Sequence, residues 1–212
     1  DSTKRSHIIL RTICIMQQKL IAEAFGTFAL ALAVLATLNS EMPAVATPVA
    51  AGLVLGLFVY TIGSKSGCHI NPAVTLGLWS INKIKTNEAV QYIIAQVLGG
   101  LIAFGLASTL LGSGIALGMV PESMNIFLAE LIGTALFTFG IAGVVYGKVR
   151  DDASGMVIGG SLLLGITIAA ALGSAGILNP AVAIALGSLN LSYALGAILG
   201  SMLGFNFYKY IN

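Results

Sequence analysis

The chain has 212 residues, of which 57% are hydrophobic and only 8% are charged. Soluble domains carry about 25% charged residues, so this chain cannot cover itself with a charged surface and is expected in a lipid bilayer. Its net charge of +2 does not indicate a nucleic-acid partner, because the basic residues lie in short segments between apolar runs. Cys14 and Cys68 are far apart and fit no metal-ligand spacing, so no metal or cofactor is predicted.

Residues 1–15 are predicted to be an N-terminal extension outside the fold. Met16 resembles a start residue placed directly before a membrane helix. No small-residue cleavage site follows a short apolar core, which argues against a signal peptide. We therefore expect a single membrane domain over residues 16–212.

Six apolar stretches are long enough, or nearly long enough, to cross a bilayer, which takes about 20 helical residues. They are Leu20–Leu38, Pro48–Gly63, Ala89–Leu111, Ile126–Tyr146, Met156–Leu172 and Leu191–Tyr210. Two further stretches, Pro72–Ile81 and Pro180–Leu189, have about half that length and can only enter the bilayer and return. The sequence therefore predicts an all-α membrane protein with six transmembrane helices and two re-entrant half-helices.

The basic residues predict the orientation. With both termini placed inside, the inner side receives all ten of them: Lys4, Arg5, Arg11, Lys19, Lys65, Lys83, Lys85, Lys148, Arg150 and Lys209. The outer segments, around residues 39–47, 112–125 and 173–190, hold none and carry only Glu41 and Glu122. Because Lys and Arg concentrate on the cytoplasmic side, both termini are expected in the cytoplasm, with the protein in the plasma or inner membrane.

The sequence contains an internal repeat over about residues 16–111 and 124–212. LIAEAFGT at 20–27 aligns with FLAELIGT at 127–134, and NPAV at 71–74 recurs at 179–182. Each half holds three spans and one half-span, and an odd number of spans places the second half upside down in the membrane. Inverted repeats with interrupted helices in matching places indicate a central solute site.

Asn-Pro predicts a helix start, because Asn is a favoured N-cap and Pro is favoured at the first helical position. Either pair alone, Asn71-Pro72 or Asn179-Pro180, could be no more than a cap. At mirrored positions, however, the two helix starts are expected to meet near the bilayer midplane. Both positive dipole ends would then face one spot, where the asparagine amides donate to a neutral molecule and a cation is repelled.

The chain resembles the aquaporin (major intrinsic protein) family. The resemblance lies in the repeated NPAV motif at 71–74 and 179–182, here called the two boxes, and in AEAFGTF at 22–28, SGCHINPAVTLGLW at 66–79 and AQVLGGLIA at 95–103. The resemblance implies a passive channel for water and small uncharged solutes, assembled as a homotetramer with one pore in each protomer. The residues it implies at the centre of the pore are Asn71, Pro72, Ala73, Asn179, Pro180 and Ala181. Loop carbonyls at 67–70 and 174–178 are expected to line the same path.

Glu23 and Glu130 are intramembrane carboxylates, which are costly and are usually paired or functional. We favour a bracing role, in which each accepts hydrogen bonds from the irregular backbone before its half-helix, over a proton relay. His69 resembles the family's cytoplasmic pore histidine, with Cys68 and Gly67 beside it, although a capping or packing role is the alternative.

The chain departs from the family at the outer constriction. Val182 occupies the position of the usual arginine, and Ala183 replaces the aspartate that follows it in glycerol facilitators. Counting back from the boxes assigns the other three positions of the filter to Ala51, Thr167 and Gly176. Without a guanidinium and two bulky rings the constriction is expected to be wide, which predicts passage of glycerol, urea, ammonia or hydrogen peroxide as well as water.

Two alternatives remain open from the sequence. Bulky side chains elsewhere, such as Phe58, Tyr60 or Phe205, could refill the constriction. A structural or junctional membrane protein with a closed pore is the second alternative. An enzyme is not expected, because the chain shows no nucleophile–base pair, metal-ligand cluster or phosphate loop.

Overall fold

The computed structural model describes residues 2–40, 45–112 and 117–212, with side chains from residue 11 onward. Parts of two predicted outer segments, residues 41–44 with Glu41 and residues 113–116, lie outside the described residues. The helices are α1 (Ser2–Leu38), α2 (Thr47–Ser66), α3 (Pro72–Ser80), α4 (Thr86–Leu111), α5 (Met124–Val145), α6 (Ser154–Ala171), α7 (Pro180–Ala185) and α8 (Leu191–Ile211). A short 3-10 turn, Asp151–Ala153, precedes α6.

Six of the described helices are long and apolar enough to cross a membrane, which confirms the predicted spans. α3 and α7 are the half-helices, with 9 and 6 residues. α7 ends four residues before the predicted Leu189, because Gly187 adopts φ 64° and the Ser188 N–H donates back to the Ala183 carbonyl at 3.0 Å. A left-handed glycine followed by such a bond is a common helix stop.

α1 begins at Ser2, well before the predicted span. Residues 2–19 contain no Gly or Pro, so nothing in the sequence interrupts the helix there. The side chains of residues 11–15 are all exposed. That residues 1–15 are an extension outside the fold stays a prediction.

The helices pack in two halves that share the same pattern of contacts. α1 packs against α2 and α4, as α5 packs against α6 and α8, and α2 joins the halves by packing against α6. The half-helices cross over, because α3 packs against α8 and α7 packs against α4. Each half-helix is therefore held by the last long helix of the opposite half.

Two glycines allow the close contact between α2 and α6. A Cβ on Gly52 would lie 2.7 Å from the carbonyl oxygen of Gly159, and a Cβ on Gly159 would lie 2.3 Å from that of Gly52. Real Cβ atoms essentially never come so close to another atom, so only glycine fits on either side. Small residues of this kind let membrane helices pack backbone to backbone.

Candidate functional site

Both Asn-Pro pairs form helix starts of the same geometry. The side-chain oxygen of Asn71 accepts from the Ala73 N–H at 2.8 Å, and that of Asn179 accepts from the Ala181 N–H at 3.0 Å. A proline follows each asparagine at the first helical position, where its missing N–H costs nothing. The cap uses only the oxygen of each amide and leaves its nitrogen free for other partners.

The two amide nitrogens join the half-helices tip to tip. Nδ2 of Asn71 donates to the carbonyl of Leu178 at 2.9 Å, and Nδ2 of Asn179 donates to the carbonyl of Ile70 at 3.0 Å. Each asparagine thus bonds the residue that precedes the other asparagine. The structure therefore brings the two boxes together, and both asparagine side chains are buried.

The backbone before each box is strained in a matching way. Ile70 has φ 38° and Leu178 has φ 52°, although non-glycine residues rarely adopt positive φ and a β-branched residue almost never does. Both side chains are fully buried. Backbone strain of this kind costs about 1–3 kcal/mol at each residue and persists only where the surroundings hold it in place.

Glu23 of α1 holds the first strained loop. Its carboxylate accepts from the backbone N–H of His69 at 2.9 Å and of Ile70 at 2.7 Å, and from the Ser66 hydroxyl at 2.6 Å. The residue has no solvent exposure. These bonds give the carboxylate the partners that a buried charge needs.

Glu130 of α5 does the same for the second loop. It accepts from the N–H of Ile177 at 2.9 Å and of Leu178 at 2.7 Å, and from the hydroxyl of Ser174. Glu130 is also fully buried. Both halves of the repeat therefore contain the same brace, which consists of a glutamate, a serine hydroxyl and two backbone N–H donors.

The first half has an additional polar chain that the sequence did not indicate. Gln96 of α4 donates to Glu23 at 2.8 Å and to the hydroxyl of Thr75 at 2.9 Å. Thr75 lies 3.2 Å from Nδ1 of His69, and the His69 ring also meets Tyr92 edge-on at 5.1 Å between centroids. The imidazole is therefore fixed by two neighbours.

A cavity of about 300 Å³, the outer cavity, opens beside the predicted outer segments at Leu38, Thr47 and Leu117 and reaches Asn71 and Asn179. No Asp, Glu, Lys or Arg occurs among its described lining residues. Most of its wall consists of aliphatic side chains.

Three of the four residues assigned to the filter line this outer cavity: Ala51, Gly176 and Val182. The assignment of Thr167 is wrong. Its side chain is exposed and bonds only the Leu163 carbonyl of its own helix, at 2.8 Å, whereas Ile166 lines the cavity. A Cβ on Gly176 would lie 2.7 Å from the Ile166 carbonyl oxygen, so Ile166 is a direct neighbour of Gly176. We call the four cavity-lining residues Ala51, Ile166, Gly176 and Val182 the outer ring.

A second cavity, the inner cavity, measures about 620 Å³ and extends to Lys83 and Asp151 on the predicted inner side. Gly67, Cys68 and His69 line it. The side chain of Cys68 is buried, although the residue borders this space.

The bulky residues that could refill the constriction do not line the outer cavity. Phe58 packs against Phe25 at 5.6 Å between ring centroids, and Phe205 is fully buried. Tyr60 borders the inner cavity and donates from its hydroxyl to the Asp152 carbonyl at 2.8 Å.

Leu55 and Phe137 line both the outer and the inner cavity, and neither was predicted as a site residue. A signal for Phe137 was present. It follows Glu130 by seven residues, as Leu30 follows Glu23, and residues two helical turns apart lie on the same face. The brace and the cavity wall are therefore on one side of each helix.

The chain is similar to known proteins over most of its length. A family model described as "Major intrinsic protein" matches residues 9–208. The chain is 36% identical to aquaporin AqpM of Methanothermobacter marburgensis over 179 residues, which cover 78% of this chain and 68% of that protein. It is also 36% identical to nodulin-26 of Glycine max over 177 residues, covering 77% and 64% of the two chains. The matches thus span about two thirds of these relatives.

Among solved structures, the aquaglyceroporin from Plasmodium falciparum superposes with a TM-score of 0.71. The match covers 92% of this chain and 95% of the other, at 23% sequence identity. This likeness supports the fold. The family match and the relatives show that the chain belongs to the major intrinsic protein family of membrane channels.

Proposed function

We propose that the protein is a passive channel for water and small uncharged solutes, with its path running through the outer cavity, past the two asparagines, into the inner cavity. The observation that carries this proposal is the position of Asn71 and Asn179, whose side chains meet at the inner end of the outer cavity. A carboxamide nitrogen has two hydrogens, and the loop carbonyl takes one of them. The second is available to a molecule in the path.

The same arrangement supports exclusion of cations. α3 and α7 both begin at these asparagines, and each helix start carries a partial positive charge. A neutral molecule accepts hydrogen bonds there, whereas a cation meets two positive ends after leaving its hydration shell. Positive half-helix ends are a known barrier to cations in aquaporin-type pores.

The composition of the outer ring supports a broad range of solutes. Ala51, Gly176 and Val182 are small or medium-sized and carry no charge, and Ile166 completes the ring. Because no arginine is present at these positions, the ring offers neither a fixed charge nor a rigid set of donors. Glycerol, urea, ammonia and hydrogen peroxide are therefore proposed solutes beside water.

We further propose that the chain works as a homotetramer in the plasma or inner membrane with both termini in the cytoplasm. The placement of every basic residue on one side supports the orientation. Family membership supports the tetramer, and chemical cross-linking of the protein in its native membrane tests it.

Stopped-flow measurements on proteoliposomes test the channel. We expect osmotic water permeability well above that of empty liposomes, and uptake of glycerol and urea without an accompanying ionic current. A flat osmotic trace from correctly assembled protein would contradict the proposal and favour the closed-pore structural alternative. Water flux with glycerol and urea excluded would contradict the proposed solute range alone.

A further inference from the structure

Leu55, His69 and Phe137 are the described residues that line both the outer and the inner cavity. They come from three different parts of the chain: α2, the loop before α3, and α5. We infer that these residues, here called the neck, form the narrowest part of the path and set the upper size of the solute. This deepens the proposed function and depends on it.

The side chains of the neck cannot easily move aside. Leu55 and Phe137 are each only 2% exposed, so both are packed from behind by the protein. The His69 ring is held 3.2 Å from the Thr75 hydroxyl and edge-on against Tyr92. Packed interiors have little free volume, so a solute must fit the neck as it stands.

The outer ring is built from smaller residues. Ala51 and Gly176 present a methyl group and bare backbone to the path, and Val182 has a short side chain. Only Ile166 is comparable in size to the leucine and phenylalanine of the neck. In side-chain volume, the restriction therefore lies at the neck and not at the ring.

The chemistry of the neck adds a second criterion. Leu55 and Phe137 offer no hydrogen bond, so a passing molecule loses hydration beside them and regains partners from His69, from the nearby asparagine amides and from the loop carbonyls expected along the path. Losing hydration without compensation is costly for every additional polar group. Slim, neutral solutes with few hydrogen-bonding groups are favoured over broad polyols.

Leu55→Ala and Ile166→Ala form a matched pair, since each removes the same number of carbons from a buried position, one at the neck and one at the ring. We expect Leu55→Ala to raise the ratio of glycerol to water permeability severalfold, and Ile166→Ala to change it less. Leu55→Phe narrows the neck and should lower both fluxes. Leu53→Ala, on the exposed side of α2, controls for effects of purification and reconstitution that do not depend on the neck.

Elution of each variant from a size-exclusion column in detergent verifies its assembly, and Leu55→Val replaces Leu55→Ala if the latter does not assemble. A larger effect of Ile166→Ala than of Leu55→Ala would place the restriction at the ring and overturn the inference. Unchanged ratios in all neck variants, with water flux intact, would also overturn it while leaving the channel proposal standing. A wild type closed to water but opened by Leu55→Ala would support the neck and contradict the proposed wild-type activity. No flux in any variant would contradict both.

Discussion

Asn179 donates its side-chain N–H to the carbonyl of Ile70, a residue 109 positions earlier in the chain, at 3.0 Å. The reciprocal bond from Asn71 to Leu178 has nearly the same length, 2.9 Å. Each asparagine therefore has a structural role, because its side chain satisfies a buried carbonyl of the other half.

Asn71→Asp and Asn179→Asp test this exchange. An aspartate keeps the oxygen that caps the half-helix but loses the N–H, and it sets a negative charge beside a buried carbonyl. An unsatisfied buried group costs about 1–3 kcal/mol, and a buried charge costs more. We expect both variants to unfold at lower temperature and to lose water flux, whereas Asn87→Asp, at an exposed position, should do neither. If both variants unfolded at the wild-type temperature, the hydrogen bonds between the two boxes would not contribute to stability.

Glu23→Gln and Glu130→Gln test the braces. The amide nitrogen of glutamine cannot accept from a backbone N–H, so each variant loses some of the hydrogen bonds that the carboxylate accepts. A hydrogen bond to a charged group contributes about 1.5–3 kcal/mol to stability. The larger loss is expected for Glu23, because Gln96 donates to it as well. Thermal unfolding in detergent measures the effect.

The same variants separate bracing from a proton relay. If Glu23 relayed protons, Glu23→Gln would abolish a proton flux of the wild type, measured with a pH-sensitive dye inside liposomes, and would leave the stability unchanged. Bracing predicts that Glu23→Gln lowers the unfolding temperature and leaves the proton flux unchanged.

Val182→Arg tests the outer ring. The long guanidinium side chain would enter the outer cavity, where Val182 now leaves room, and would bring a positive charge and five donors. We expect uptake of glycerol and urea to fall more than water flux. Uptake equal to that of the wild type for all solutes would show that Val182 does not face the path.

Gly159→Ala tests the contact between α2 and α6. The new methyl group would meet the Gly52 carbonyl oxygen at 2.3 Å, so the helices must separate and the protein should lose stability. Gly105→Ala is the matched control on α4, since its Cβ meets nothing within 4 Å. Alanine is favoured over glycine in a helix by about 1 kcal/mol, so this control should be neutral or stabilising. Equal unfolding temperatures of the two variants would refute the close contact.

Glu122 ties the segment before α5 to the start of α8. Its carboxylate accepts from the Ser192 hydroxyl at 2.7 Å and from the backbone N–H groups of Leu191 at 2.8 Å and Ser192 at 2.9 Å. The Ser192 hydroxyl and these N–H groups hold the pKa of the Glu122 carboxyl below its ordinary value. A lowered pKa means that the ionised form stabilises the fold, so this stabilisation is complete above the ordinary pKa and disappears as the pH falls through the lower native one.

Glu122→Gln should therefore unfold at a lower temperature than the wild type at pH 7. The difference should shrink below about pH 4 and vanish once the carboxyl of the wild type is protonated. Thermal unfolding across this pH range measures it. A difference that stays constant with pH would show that the charge of Glu122 plays no part.

The long helices and the half-helices were predictable, because apolar length and the Asn-Pro pairs are local signals. The ring position on α6 was not. Counting back from Asn179 crosses the irregular segment between α6 and α7, whose conformation the sequence does not give, and the count reached Thr167 where Ile166 lines the outer cavity. A slip of one residue rotates the position by about 100°, which replaces Ile166 with the exposed Thr167.

Tertiary partners of the site were also beyond the sequence. Gln96 has no counterpart in the second half, so the repeat gave no indication that it contacts Glu23. Leu55 stands in a run of apolar residues, and only the packing of α2 against α1 and α6 decides which of them faces the cavity.

The reciprocal bonds between the two boxes also constrain biosynthesis. When residues 67–80 leave the ribosome, the carbonyl of Ile70 and the amide of Asn71 lack their partners, which follow about a hundred residues later. In hydrocarbon an unpaired carbonyl costs several kcal/mol, so we expect the re-entrant segment with α3 to reach its final depth only once the segment with α7 has been made. The long helices can insert one after another during translation, but the centre of the molecule closes in a single late step.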